Sequence, residues 1–303
     1  MPSVGRPGGA DFTGGLTAPS GRGKNGLVGG GAVGALPAEL ALASALLHLG
    51  WNTVLRRTAG NLRFLCQQTL AGGVLGVCIA LVVGSRNLAP AAGWLAATVL
   101  IHAVYFWALA SAYRRGALSV VYPLSRGGSV ILVPALAVWW FAEIPGAWAW
   151  VGMALVAVGM MGTVLARGVA VRRDVVLWAL LVALTITGYS LVDSHAMHLV
   201  TPPAYVAAQF LGAGLLLAPM ARRVTAEAPL WMAMLSGAAS LVSYLLLLYA
   251  YQLAPVGPVL ALRQLAPALA PPVGWLFLRE RLSWAGAAGA LSVAAGGALL
   301  IWH

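Results

Sequence analysis

Two arginines stand inside long apolar stretches of this sequence. Arg126 lies within residues 122–143, YPLSRGGSVILVPALAVWWFAE, and Arg263 lies within residues 260–280, LALRQLAPALAPPVGWLFLRE. A charge at the centre of a bilayer costs roughly 2.5–3.5 kcal/mol on insertion scales, so each arginine needs a polar environment. A guanidinium can hold a carboxylate or a phosphate through two parallel hydrogen bonds. The pair therefore predicts a site for an anionic group, unless each side chain reaches the membrane surface or caps backbone carbonyls near a broken helix.

Aromatic and small polar residues could form the walls of such a site. Trp51-Asn52 and Tyr189-Ser190 are separated by a constant 138 residues in the chain. The two aromatic rings could line a cavity, and the amide and hydroxyl beside them could bind a solute by hydrogen bonds. The alternative for both rings is a place in the aromatic belt at the membrane interface, because each stands near the end of an apolar run.

Histidines add a further polar group to the apolar runs. His48 precedes Asn52 by four residues, and His102 precedes Tyr105 by three, so each pair shares one helix face. A histidine in such a place either relays protons or bonds a neighbouring carbonyl. The candidate substrate-binding residues are, in chain order, His48, Trp51, Asn52, Tyr105, Arg126, Tyr189, Ser190, Tyr244, Arg263 and Gln264.

Other kinds of chemistry find little support in the sequence. Residues 193–198, DSHAMH, place His195 and His198 on one helix face, but no third ligand is evident, so we expect no metal and no cofactor. The sequence contains no evident nucleotide-binding loop, nucleophile–base set or pair of catalytic carboxylates. We therefore do not expect an enzyme.

The two arginine-bearing stretches belong to an internal duplication. Five pairs of uncommon residue types match without a gap at an offset of 137 residues, and such repeats define an architecture. The matched pairs are Arg126 with Arg263, Pro134 with Pro271, Glu143 with Glu280, Gly152 with Gly289, and Gly159 with Gly296.

Composition places the chain in a membrane. It has 303 residues, of which 61% are hydrophobic and only 8% are charged, too few charges to cover a water-soluble protein. We count ten apolar spans without strand-like alternation, which predicts ten transmembrane helices. The spans are residues 37–55, 64–84, 90–113, 118–142, 146–166, 175–193, 203–220, 229–251, 256–278 and 284–302. The net charge of +11 then indicates loops near anionic headgroups rather than a nucleic-acid partner.

The chain divides into a tail and two five-helix repeats. We expect residues 1–36 to form a disordered Gly/Pro-rich tail, residues 37–167 the first repeat, 168–174 a linker and 175–303 the second repeat. Because five spans are an odd number, the second repeat enters the membrane from the opposite side, as in alternating-access transporters. Glycine-rich faces on spans five and ten allow close packing within the monomer or, as the alternative, a homodimer.

The positive-inside rule gives an orientation. Loops after odd-numbered spans carry most of the cations, and this places both termini outside the cytoplasm. The residues of this side are Arg56, Arg57, Arg63, Arg114, Arg115, Arg167, Arg172, Arg173, Arg222, Arg223, Arg279 and Arg281, against Arg6, Arg22, Lys24 and Arg86 on the other.

Two stretches resemble the two halves of EamA-type transporters of the drug/metabolite transporter superfamily: GALSVVYPLSRGGSVILVPALAVWWFAE at 116–143 and VGPVLALRQLAPALAPPVGWLFLRERLSWAGAAG at 256–289. A third stretch, LLHLGWNTVLRR at 46–57, is similar to the start of the first helix in one branch of this family. The resemblance implies ten helices in two inverted repeats, an inner-membrane location and both termini in the cytoplasm, against the arginine distribution. Arg126 and Arg263 fall on the arginine positions of this family. Gln264 stands where that branch is expected to carry an acid, which removes a neutralising partner for Arg263.

These observations predict a secondary, ATP-independent transporter of a small solute in the cell membrane. The arginines favour an anionic or zwitterionic solute, such as an amino acid or a related compound, and the resemblance favours efflux. The expected partners are membrane lipid and the solute. The alternative is a non-transporting membrane scaffold or small-molecule receptor with the same fold. A centre filled by side chains would favour this alternative, whereas a continuous polar cavity would favour transport.

Overall fold

A computed structural model describes residues 33–58, 60–116, 118–165, 171–225, 228–265 and 284–302. Ten α-helices lie within these ranges, and a short 3₁₀ turn, Ala89–Ala91, leads into the third. The helices are α1 Ala35–Arg57, α2 Leu62–Val82, α3 Ala92–Arg115, α4 Leu118–Phe141, α5 Ala147–Leu165, α6 Arg173–Ala196, α7 Pro202–Ala221, α8 Leu230–Leu253, α9 Val256–Arg263 and α10 Trp284–Trp302. The predicted all-helical architecture is confirmed over the described ranges, and each helix overlaps the predicted span of the same number.

Seven helical segments in this part of the chain are long and apolar enough to cross a membrane. They are Leu62–Val82, Ala89–Arg115, Val120–Phe141, Arg173–Ala196, Pro202–Ala221, Leu230–Leu253 and Trp284–Trp302, and Ala147–Gly162 is a shorter apolar helix. Large apolar side chains such as Val82 and Leu215 are exposed on the outside of the bundle, as lipid requires. The prediction of a multi-pass membrane protein is confirmed. Two predicted segments lie outside the described residues. One is the tail, of which only residues 33–36 are described, and the other is the second part of span nine, which includes Pro271 and Glu280.

The helices of the first half pack mainly against helices of the second half. The most extensive contacts join α5 to α10, α2 to α7, α1 to α8 and α3 to α6. Helices such as α2 and α7 thereby bury one face against the other half and expose apolar side chains on the opposite face, whereas every residue of α9 is buried. The centre of the bundle is formed by residues from both halves.

Glycines set the distance between α5 and α10. A Cβ atom on Gly152 would lie 2.8 Å from the carbonyl oxygen of Gly296, and one on Gly159 would lie 2.6 Å from that of Gly289. The two contacts run in opposite chain directions, so the helices are antiparallel. Small residues allow such close backbone contact where lipid provides no hydrophobic driving force. Both glycine-rich faces are thus occupied within one chain, and the alternative of a homodimer through these faces is not supported.

The connection between α4 and α5 is tied to α9. Ala142 ends α4 with a left-handed backbone conformation, φ 53°. The next residue, Glu143, accepts a hydrogen bond through Oε2 from the backbone N–H of Val256, at 3.2 Å. Val256 is the first residue of α9, and a carboxylate is favourable at a helix N-terminus. Burial raises the pKa of Glu143, and the Val256 hydrogen bond partly opposes this rise.

The α5–α10 contact predicts a specific effect of an added methyl group. Gly159→Ala should lower the melting temperature of the purified protein, because the Cβ cannot fit against a backbone oxygen and overpacking costs about 1–3 kcal/mol. Gly162→Ala is the matched control on the same helix, since its Cβ would meet no atom within 4 Å. Equal melting temperatures for the two variants would contradict this packing.

Glu143 predicts a pH dependence of stability. Because its folded-state pKa is raised, its contribution is fully present below its ordinary pKa of about 4.3 and is lost as pH rises through the raised value. Thermal melts across this window should show stability decreasing as pH rises, and Glu143→Gln should remove this part of the decrease. Glu39→Gln, at an exposed acid of α1, serves as the control and should retain the wild-type profile.

Candidate functional site

The two arginines predicted from the repeat meet at one histidine in the centre of the bundle. Arg126 Nη2, from α4, lies 2.7 Å from His48 Nε2, and Arg263 Nη2, from α9, lies 3.0 Å from His48 Nδ1. A neutral imidazole accepts at only one ring nitrogen and carries a proton on the other. At most one of the two guanidiniums therefore has a hydrogen-bond acceptor in His48, while the other faces an N–H group.

Both guanidiniums are deeply buried. Arg126 is 2% exposed and Arg263 is 3% exposed. The side chains thus do not reach the membrane surface, which was one alternative to a solute site. The other alternative was a carbonyl cap near a broken helix. A turn at Gln264 does follow α9, yet the guanidinium of Arg263 extends to a histidine on another helix.

Aromatic side chains also contact both arginines. Arg126 donates to the hydroxyl of Tyr105 at 3.3 Å and lies 5.2 Å from the ring centroid of Tyr122. Arg263 lies 5.6 Å from the ring centroid of Tyr244. A cation over an aromatic face is stabilised by roughly 0.5–2 kcal/mol, which offsets only part of the cost of burying the charge.

No acidic side chain in the described part of the chain pairs with either arginine. The ion pair found there within 4.0 Å is Arg172 with Asp174, at the exposed start of α6. Nη1 of Arg126, and Nε and Nη1 of Arg263, find no acceptor among the described residues. The centre therefore has an excess of positive charge and unused donors, which is the arrangement that an anionic group would complete.

A small cavity adjoins Arg263. Its volume is about 20 Å³, which is room for about one water molecule. Six of the predicted site residues line it, together with four that were not predicted. The lining residues are His48, Trp51, Tyr105, Tyr189, Tyr244 and Arg263, and then His102, Phe106, Phe210 and Ser240.

Aromatic rings from both halves contact one another around this cavity. The ring of Tyr189 stacks on that of His102 at 4.3 Å, and Trp51 meets His48 edge-on at 4.7 Å. Trp51 is 4% exposed and Tyr189 is 2% exposed. Both rings are thus inside the bundle, and their alternative placement in a lipid-facing aromatic belt is wrong.

Four predicted site residues are buried but do not line the cavity, and one of them is Arg126, which contacts His48. The amide of Asn52 donates to the backbone carbonyl of His48, one turn earlier in its own helix, at 2.8 Å. Ser190 and Gln264 are buried as well. Gln264 follows Arg263 where α9 ends. Because its side-chain amide is neutral, it supplies no charge to the site.

A second polar cluster was not predicted from the sequence. Asp193 on α6 is completely buried, and its Oδ1 accepts from the hydroxyl of Tyr205 at 2.7 Å. Its Oδ2 accepts a short hydrogen bond from the hydroxyl of Tyr244. Asp193 follows Tyr189 by four residues, and this spacing places both on the same helix face. Because Asp193 also stands at the end of predicted span six, the sequence does not distinguish a buried position from one at the membrane interface.

His102 belongs to the same region. Its Nδ1 lies 3.0 Å from the hydroxyl of Thr98, one turn earlier on α3, and 2.8 Å from the side-chain nitrogen of Gln209 on α7. Its Nδ1 also lies 3.0 Å from the backbone carbonyl oxygen of Thr98, which fits the alternative of a histidine that bonds a neighbouring carbonyl. Its ring still contributes to the cavity wall.

Comparison with known proteins gives the fold a context. The model of the EamA-like transporter family matches residues 174–302. No curated protein sequence matches the chain. A protein of known crystal structure is similar at 17% identity and a TM-score of 0.65, over 87% of this chain and 96% of that chain. At this identity the likeness concerns the fold alone. The chain is therefore an integral membrane protein whose resemblance to EamA-type transporters, within the drug/metabolite transporter superfamily, is confirmed by the match of its second half.

Proposed function

We propose that this protein is a secondary transporter that moves a small anionic or zwitterionic solute, such as an amino acid or a related compound, by alternating access. One observation carries the proposal: two buried arginines from different halves of the chain converge on His48 without a described acidic partner. A solute with a carboxylate or phosphonate group would supply the missing charge. The family match supports a membrane transporter of small solutes. Efflux as the direction of transport, and the inner or plasma membrane as the location, are proposed from the resemblance to EamA-type transporters.

An inverted repeat is part of this proposal. Two of the five pairs that match at an offset of 137 form reciprocal contacts. Gly152 meets Gly296, the counterpart of Gly159, and Gly159 meets Gly289, the counterpart of Gly152. Reciprocal contacts between equivalent positions are what a two-fold axis in the membrane plane produces. The solute site then lies near this axis, where Arg126 and Arg263 meet.

In the proposed alternating-access cycle, this conformation, with its small central cavity, is a closed state. A space of about 20 Å³ is too small for an amino acid, so the halves must separate to admit one. Helices α4 and α9 carry the arginines and contact each other. Their separation on one face would open a path to the cavity, and the positive charge would attract the anion.

A non-transporting scaffold or receptor is the second candidate function, and the small volume of the cavity favours it. A scaffold, however, gives no reason for two buried cations at one histidine, since buried charges without partners destabilise a fold. A receptor would bind the solute and show no flux.

The charge excess predicts the stability of an arginine variant. Arg126→Gln, measured without solute in a buffer free of carboxylates and phosphates, should raise the free energy of unfolding by about 1 kcal/mol, because one of two like buried charges is removed. Arg114→Gln, at an exposed position of α3, should change it by less than about 0.5 kcal/mol. A clear loss of stability in Arg126→Gln would instead identify a structural arginine.

Transport itself is tested in proteoliposomes with a panel of amino acids, methylphosphonate and other organophosphorus compounds. We expect flux of at least one compound, and a decrease in kcat/KM by roughly 100-fold in Arg126→Ala and in Arg263→Ala, because a buried charge partner is lost. Arg114→Ala is the control and should retain wild-type flux. Stabilisation by a compound without any flux would favour the receptor. Undiminished flux in both alanine variants would show that the arginines do not bind the solute.

A further inference from the structure

Asp193 has no role in the transport scheme described so far. Of the acidic residues in the described ranges it is the one that is completely buried, whereas Glu39, Glu143 and Asp174 are partly or fully exposed. Burying an ionised carboxylate is costly, and an acid retained inside a membrane bundle is typical of an ion or proton pathway. The question is which ligand this carboxyl group takes.

The hydrogen bonds of the carboxyl group depend on whether it carries a proton. Both oxygens accept hydrogen bonds from tyrosine hydroxyls, one from Tyr205 and one from Tyr244, and no described arginine, lysine or histidine forms an ion pair with it. Two donors suit a carboxylate. A protonated carboxyl group is itself a donor at one oxygen and a weaker acceptor there, so protonation weakens one of the two tyrosine hydrogen bonds. Protonation of Asp193 is thereby coupled to Tyr205 or Tyr244.

One of these side chains also belongs to the anion site. The ring of Tyr244 lines the cavity and lies below the guanidinium of Arg263. Arg263 contacts His48, and through it Arg126. Asp193 is thus connected to both arginines by a continuous chain of contacts.

The remaining titratable groups around Asp193 lie on the helices that surround it. Tyr205 from α7 and Tyr244 from α8 bind it directly, and Tyr251 from α8 lies nearby. His102 from α3 and Arg263 from α9 lie against the ring of Tyr244. On α6 itself, Tyr189 lies one turn away. Arg126, on α4, is connected to this set through His48. Arginine is the cationic residue among these groups, and Asp193 is the acidic one.

Charge links the two sites. With Asp193 ionised, the two arginines and the carboxylate add to one positive charge; with Asp193 protonated, they add to two. A proton on Asp193 therefore strengthens the attraction of an anion, and a bound anion favours the proton to the same extent, since such coupling is reciprocal.

We propose that Asp193 is a proton-binding site that takes up one proton when the two-arginine site takes up an anionic group, so that the proton and the anion cross the membrane together. This inference rests on the proposed transport function. It also bears on direction, because an inward proton gradient would then drive the anion inward, against the efflux that the family resemblance suggests.

The first test does not require a solute. Infrared spectra of the purified protein in lipid nanodiscs, recorded over a pH titration, should show a protonated-carboxyl band that is missing in Asp193→Asn. In Arg263→Gln the band should appear at a higher pH than in the wild type, because a cation that favours the carboxylate has been removed. Arg115→Gln, at an exposed position of α3, should leave the band unmoved. If Asp193→Asn does not fold, Tyr244→Phe replaces it and should also move the band to higher pH.

Two results of the titration would overturn the inference. A spectrum without any band assignable to Asp193, throughout the pH range in which the protein stays folded, would mean that the group does not bind a proton. A band that Arg263→Gln does not move would mean that the two sites are not coupled.

The second test measures protons carried per solute. In proteoliposomes loaded with the pH indicator pyranine, flux of L-glutamate or methylphosphonate should acidify the interior in the wild type, and Asp193→Asn should carry about tenfold fewer protons per solute. An unchanged ratio in Asp193→Asn would reject the coupling. If the wild type carries neither compound nor any other member of the panel, the transport proposal fails, whereas the infrared titration still decides whether Asp193 binds a proton.

Discussion

Two buried positive charges at one histidine are the constraint on which the rest of this structure depends. Arg126 and Arg263 are almost fully removed from solvent, and His48 can accept a hydrogen bond from only one of them. A hydrophobic bundle does not tolerate such an arrangement without compensation. The surrounding tyrosine rings provide part of it through cation–π contacts. In the proposed function, the anionic group of a bound solute supplies the remainder.

The packing of the helices follows from the need to bring these two charges together. Arg126 and Arg263 belong to different halves of the chain, and their contact with one histidine requires the halves to pack against each other. The strongest helix contacts cross between the halves, and the glycines of α5 and α10 bring the backbones into direct contact. At this distance a single methyl group is too large. The small residues at the edge of the bundle thereby permit the polar contact at its centre.

Much of this arrangement can be predicted from the sequence because the relevant signals are local or repeated. Apolar runs give the helices, and the repeated arginine gives the site, since a charge inside such a run is costly wherever it occurs. The inward position of Trp51 could not be chosen over an interfacial one, because both are compatible with a helix end. Asp193 was harder still. Its two tyrosine partners come from α7 and α8, so its environment exists only after three helices have packed.

The position of Arg263 connects the site to the surface of the protein. Its helix, α9, is held at its first residue by Glu143, which belongs to the loop after α4, and its last residue contacts His48 on α1. Both ends of this short helix are therefore attached to the first half of the chain. A displacement of the first half relative to the second must change at least one of these attachments. If the hydrogen bond to Glu143 breaks, the first residue of α9 is released while Arg263 remains at the centre of the bundle. If the displacement changes the attachment at His48, the arginine moves and the anion site loses one of its two cations. In the proposed transport cycle, the same eight-residue helix thus links the opening of the bundle to the affinity of its centre for an anion.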